Sequence, residues 1–214
     1  MSAELRVDGI ESAPLTLVLA HGAGGPMDSP FLTKVARGVA EAGFRAVRFE
    51  FPYMAARRRG EKRGAPDREP VLRAAWHDVI VQLGDPSRLV IGGKSLGGRM
   101  ASLVADEAKV AGLVCLGYPF HPPGQPEKLR TAHLKELTTP TLIVQGTRDP
   151  FGTREDVAAY ALSPAIRIHW LEGGDHSWKP PKSSGRTEAQ NLEEGIEAVV
   201  GLLQAFAASL RRNA

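Results

Sequence analysis

The chain has 214 residues, 43% apolar and 24% charged, with 23 Gly and 16 Pro, a globular composition that excludes a disordered or fibrous protein. No apolar run approaches 18 residues, and Glu4, Arg6 and Asp8 interrupt the N-terminus, so neither a membrane span nor a secretory signal is expected and a cytoplasmic location is the default. The net charge of +3 is local: Arg57, Arg58, Arg59, Lys62 and Arg63 against Glu61 carry +4, which leaves −1 for the remainder and no basic face to track a nucleic-acid backbone. That segment, Arg57 to Arg63, reads as a solvated loop, with an anionic ligand site as the lesser alternative. The single cysteine, Cys115, sits in an apolar run, which excludes an intrachain disulfide and a cysteine-based zinc site and marks it as a small buried hydrophobe. The length fits one domain over residues 1–214.

Short runs of Val, Ile and Leu alternate with stretches of helical spacing, the pattern of strand-helix-strand units around a parallel sheet. Leu15 to Ala20 is the first strong strand. A helix should follow from Ser29 as N-cap and Pro30 at the first helical position, with Phe31, Val35 and Val39 on one face and Gly43 as the stop. Ala46 to Phe51 reads as a strand. Leu72, Ala75, Trp76, Val79, Ile80 and Leu83 form the stripe of an amphipathic helix ending at Gly84. Next come a strand at Leu89 to Ile91, a helix from about Leu96 to Lys109 and a strand at Leu113 to Leu116. A Pro-rich loop with one short helical piece near Glu127 to Leu137 leads to the strand Thr141 to Val144. A helix should then begin at Thr153 with Asp156 placed for a capping box. Ile166, Ile168 and Trp170 alternate as a last strand, and Leu192 to Leu210 carries the stripe of a closing helix.

The chemistry concentrates where strands end. After Leu89 to Ile91 the chain reads Gly92-Gly93-Lys94-Ser95-Leu96-Gly97-Gly98-Arg99, which contains G-x-S-x-G. In a strand-to-helix turn this motif lifts the Ser95 hydroxyl above the sheet, the glycines leaving room for neighbouring backbone. Asp149 follows the strand Thr141 to Val144, and His176 follows the strand ending near Leu171, so both leave the sheet at the edge where open parallel sheets bind ligands. Ser95, Asp149 and His176 suit a nucleophile, an orienting acid and a general base. Asp175 is a rival acid, but a carboxylate adjacent to the imidazole in sequence cannot easily reach its correct side. Upstream, His21-Gly22-Ala23-Gly24-Gly25 can turn backbone N–H groups toward the serine. The Ala23 and Leu96 amides are the expected oxyanion donors, with Gly24 as alternate for the first, and His21 is expected to hold loop geometry.

The elements His21 to Gly25 with Met27, Asp28, Pro30 and Phe31, then Phe51-Pro52-Tyr53-Met54, Gly92 to Ser95 with Gly97-Gly98-Arg99, Gly117-Tyr118-Pro119, Gly146-Thr147-Arg148-Asp149 and Asp175-His176, together resemble the small α/β hydrolases related to dienelactone hydrolase, in the branch that includes animal testis-expressed hydrolase-like proteins. The resemblance spans nearly the whole chain. It implies a three-layer α/β-hydrolase fold, a mostly parallel sheet with helices on both faces, and a Ser95, Asp149 and His176 triad. Dienelactone hydrolases proper use a cysteine nucleophile; the serine here means that dienelactone cleavage is not implied.

The expected activity is serine hydrolysis of a small-molecule acyl substrate, with no cofactor, no metal, no nucleic-acid partner and no membrane. Two other classes compete with this reading. Gly93-Lys94-Ser95 looks like the tail of a phosphate-binding loop, but the glycine that such a loop needs five positions earlier is Arg88. A hydrolase-fold interaction protein without turnover is the other, and the intact set of reactive side chains weighs against it. About two dozen residues separate the strands at Leu116 and Thr141, too few for a large lid, so an open site for short esters is expected, with Tyr53 and Trp178 as candidates for its border.

Overall fold

The computed structural model describes residues 3–61 and 65–212. Its strands are β1 Leu5–Asp8, β2 Thr16–Ala20, β3 Arg45–Phe49, β4 Leu89–Lys94, β5 Gly112–Leu116, β6 Thr141–Gly146 and β7 Ile166–Leu171. They form one sheet in the order β1-β3-β2-β4-β5-β6-β7. Among the described residues only β1 runs antiparallel to its neighbour; all other pairs are parallel.

Strands covered on both faces read as continuous apolar runs, and β2 and β5 are buried at every position. Leu17 and Leu19 of β2 pack in one layer with α1 Pro30–Glu41 and the long α7 Glu188–Arg212. Val18 and Ala20 face the opposite layer, built from α2 Pro52–Arg58, α3 Glu69–Leu83, α4 Leu96–Ser102 and α5 Ala105–Ala108. The result is the three-layer arrangement that the family resemblance implied. Because the central strands are parallel, their C-terminal ends share one edge, and the loops after β2, β4, β6 and β7 meet there.

Several elements differ from expectation for identifiable reasons. The helix expected over 96–109 breaks after Ser102, whose hydroxyl donates to the Arg99 carbonyl at 2.7 Å, a local bond that competes with the helix ladder; the chain resumes as α5 and stops at Lys109 with φ of 54°. The piece expected near 127–137 is a single 3₁₀ turn, Ala132–Lys135. The capping box forms: α6 Arg154–Ala158 begins with the Thr153 hydroxyl accepting from the Asp156 amide and the Asp156 carboxylate accepting from the Thr153 amide. Ser29 occupies its N-cap position, but its side chain makes no capping bond there.

The described part of the basic segment begins as helix rather than loop, with Arg58, Arg59 and Glu61 exposed to solvent. Arg57 and Arg58 belong to α2, which Pro52 starts. Arg58 is paired with Glu50 and with Asp28, which accepts through both oxygens at 2.9 and 3.0 Å; Arg59 pairs with Glu61, and the Arg57 guanidinium lies 5.2 Å from the Tyr53 ring centre. Buried Glu50 also accepts from the Met27 amide, so this network fixes the loop after β2. Lys62 and Arg63 lie outside the described residues. Among the described residues, no helix is long and apolar enough to cross a membrane.

Candidate active site

At the end of β4 the chain turns sharply into α4. Ser95 takes φ of 50° and ψ of −111°, a backbone conformation that non-glycine residues rarely adopt and that surrounding structure must hold. It is held: the Ser95 amide donates to the Leu116 carbonyl at 3.1 Å, and the Ser95 carbonyl accepts from Arg99 at 3.0 Å. The glycines are there because backbone meets backbone. A Cβ on Gly93, whose φ is 151°, would lie 2.2 Å from the Ala20 carbonyl oxygen, and one on Gly97 would lie 2.4 Å from the same atom. Gly97→Ala should therefore destabilise the fold by about 1 to 3 kcal/mol through overpacking, read as a lower denaturant midpoint. An unchanged midpoint would contradict this close approach.

Asp149 and His176 meet. The fully buried Asp149 accepts from His176 Nδ1 through Oδ2 at 2.8 Å, and this leaves Nε2 as the acceptor nitrogen. Three further contacts seat this pair. Gln145 Nε2 donates to the same oxygen at 3.0 Å, the Phe151 amide donates to Oδ1 at 2.9 Å, and the Phe151 ring lies 4.2 Å from the imidazole centre. Gln145, buried at the end of β6, also accepts from the Tyr118 amide at 2.7 Å. Nothing in the pattern around Gln145 distinguished it from a strand-end polar residue.

The rival acid has a different task. Asp175 Oδ1 accepts from the Ser177 and Lys179 amides at 2.7 and 3.0 Å, and so shapes the loop that carries His176.

His21 is buried beneath the loop after β2. Its Nδ1 donates to the Gly22 carbonyl at 2.6 Å and its Nε2 accepts from the Phe51 amide at 3.1 Å, a neutral ring whose pKa burial pushes below the ordinary histidine value. This is the loop-holding position expected of it. Ala23 and Gly24 are exposed on the loop, and Leu96 opens α4, where backbone N–H groups lack intrahelical acceptors.

The two aromatic candidates do not border the cavity. Tyr53 lies under the same loop and donates its hydroxyl to the Ala23 carbonyl at 3.1 Å; burial raises its pKa to about 12. Trp178 is fully buried in the core layer of α1 and α7, its ring 4.7 Å from that of Phe31. A Cβ on Gly195 would lie 2.5 Å from the Trp178 ring, so the indole wedges the His176 loop against α7 from behind.

Ser95, His176 and Lys94 line one cavity of about 540 Å³ together with Gly22 to Gly25, Phe31 and Phe151. Another cavity, of about 360 Å³ beneath α2, is lined by Glu50, Arg58 and Arg59 and by none of Ser95, Asp149 and His176. Among the described residues no group of three or more His, Cys, Asp or Glu side chains is arranged to hold a metal ion.

A strained serine at a strand-to-helix turn, a buried carboxylate-imidazole pair and a shared cavity can be set against known proteins. The model of a family described as an alpha/beta hydrolase domain matches residues 13–204. The chain belongs to this alpha/beta hydrolase family. Over 143 residues the chain is 32% identical to rat ABHD14B, whose name proposes a protein-lysine deacylase; the match covers 64% of this chain and 63% of that protein, under two thirds of its length. The structure of an alpha-beta serine hydrolase homologue from Coxiella burnetii is similar with a TM-score of 0.67 and 23% identity, covering 93% of this chain and 90% of that one. Dienelactone hydrolase from Anabaena variabilis gives 0.67 and 19% identity over 90% of this chain and 88% of its own. At such identities these structures speak for the fold.

Proposed function

We propose that this hydrolase cleaves short, soluble esters through an acyl-enzyme on Ser95. The observation that carries the reading is the buried Asp149–His176 hydrogen bond, which leaves Nε2 free to accept a proton in a cavity that Ser95 also lines. In the reaction, Nε2 takes the Ser95 proton as Oγ attacks the ester carbonyl. The Ala23 and Leu96 amides bind the oxyanion, with Gly24 the alternate donor on the first loop. Collapse of the tetrahedral intermediate breaks the carbonyl-alkoxy bond, and the imidazolium hands its proton to the departing alcohol. Water then attacks the acyl-enzyme with His176 again as base, releasing the acid and restoring Ser95. Asp149 keeps Nδ1 protonated and the ring oriented throughout. The cycle needs no cofactor.

The size preference rests on the segment between β5 and β6. Its aromatic residues Tyr118 and Phe120 are buried in the core, with the Tyr118 hydroxyl donating to the Arg130 carbonyl at 2.9 Å, and none of residues 117–140 is among those that line the cavity. A site without this cover offers little apolar wall for a long chain. From butyrate to palmitate nitrophenyl esters, kcat/KM should fall at least about tenfold. Comparable values would contradict the size preference.

The relative's name brings protein-lysine deacylation to this chain as a second substrate class, since amide cleavage can use the same acyl-enzyme. An acetyl-lysine peptide in the same panel tests it: release of acetate that is lost in Ser95→Ala supports deacylation, and its absence leaves esters as the substrate class.

A further inference from the structure

We propose that Lys94 is a positioning residue, a strap that ties the nucleophile's strand to the His176 loop by donating from its ammonium to the His176 main-chain carbonyl. Lys94 is the last residue of β4 and immediately precedes Ser95. Its Nζ donates to the His176 oxygen, which belongs to the loop after β7, two strands beyond β4's neighbour in the sheet order. The side chain crosses the end of β5 at Gly117, and glycine is what leaves the passage open. A Cβ there would lie 2.8 Å from Nζ, 3.2 Å from the His176 oxygen and 3.4 Å from His176 Nδ1, and the φ of 71° disfavours a side chain in any case. The stem runs beside Gly22, and Nζ lies 5.6 Å from the centre of the Phe31 ring. One side chain thus touches the loops after β2, β5 and β7, the segments whose relative placement sets the distance between Ser95 and His176.

The strap is charged, and its charge can be lost. Among the described residues no carboxylate comes within ion-pair distance of Nζ. Asp149 and Asp175 attract it from further off, His176 is bound through its carbonyl, and Glu188 at the start of α7 lines the same cavity. Burial outweighs the two aspartates and lowers the Lys94 pKa to about 8. Below that value the ammonium makes a charge-assisted bond to the carbonyl; above it a neutral amine makes one roughly half as strong. The His176 loop should therefore be held less well on the alkaline side, a loss of alignment that lowers kcat more than it raises KM.

The inference rests on the Ser95 and His176 reading, and the test separates the two. Turnover of a short nitrophenyl ester is measured from about pH 6 to about pH 10 in the wild type, Lys94→Arg and Lys94→Met, with fluorophosphonate labelling of each. The wild-type kcat should decline through an alkaline limb near pH 8. Lys94→Arg, whose guanidinium stays charged, should retain turnover and lose that limb. Lys94→Met should lose at least about tenfold in kcat with KM within about twofold, while Ser95 still labels. A Lys94→Met enzyme with wild-type kcat, or a limb that persists in Lys94→Arg, overturns the strap. A wild type that neither labels nor turns over removes the serine-hydrolase reading and the strap with it.

Discussion

Ser95→Ala is expected to lower kcat for a short nitrophenyl ester by at least about 10⁴-fold, because it removes the hydroxyl that forms the acyl bond in this reading and leaves oxyanion binding and substrate positioning. The fold should survive. The unusual φ of 50° is imposed by the Leu116 and Arg99 contacts on the backbone, not by the hydroxyl, and alanine carries the same Cβ. The denaturant midpoint should therefore stay close to that of the wild type while turnover disappears. An enzyme that unfolds would point to a structural serine, and one that keeps its rate would exclude Ser95 as nucleophile.

The second large effect is expected at Asp149. Both oxygens of this buried carboxylate accept hydrogen bonds, Oδ1 from Phe151 and Oδ2 from Gln145 and His176. Asparagine offers one oxygen and one NH₂, so whichever way it turns, a donor faces a donor. With the amide nitrogen toward His176, the ring must accept at Nδ1 and carry its proton on Nε2, the tautomer that cannot take a proton from Ser95. In the serine-protease template this change costs about 10⁴ in kcat. A loss of that order is expected in Asp149→Asn, with about 1 to 3 kcal/mol of stability from the unsatisfied donor. Steady-state kinetics and chemical denaturation on the same preparation separate the two effects. A rate within about tenfold of the wild type would assign Asp149 a structural role alone.

The placement of these residues was legible because each is marked by backbone punctuation. Gly93 and Gly97 flag a turn in which backbones approach within atomic contact, and Asp149 and His176 stand where apolar runs stop, which in a parallel sheet is one shared edge. The aromatic side chains carried no such mark. The Trp178 backbone at φ of 69° sends its ring into the core rather than toward the cavity, and Tyr53 reaches beneath its loop only because α2 forms. Neither path is encoded by local spacing.

The same limit explains Gln145, Glu50 and Lys94. Each sits in or beside a strand and has a partner on a segment remote in sequence: Tyr118 for Gln145, Met27 for Glu50, His176 for Lys94. Edge strand β1, four residues with only partial burial, was too short for alternation to reveal. In the basic segment the described residues from Arg58 to Glu61 are exposed as the composition implies, but the carboxylates that pair with Arg58, Asp28 and Glu50, lie outside the segment and were not legible from it.

The most direct test is to locate the covalent bond itself. The protein is treated with a fluorophosphonate, and separately with a slowly deacylating ester, then digested and mapped by mass spectrometry. A single adduct on the Ser95 hydroxyl in both cases is the predicted result. An adduct on any other residue, or none under conditions where the ester is still consumed, would contradict an acyl-enzyme on Ser95.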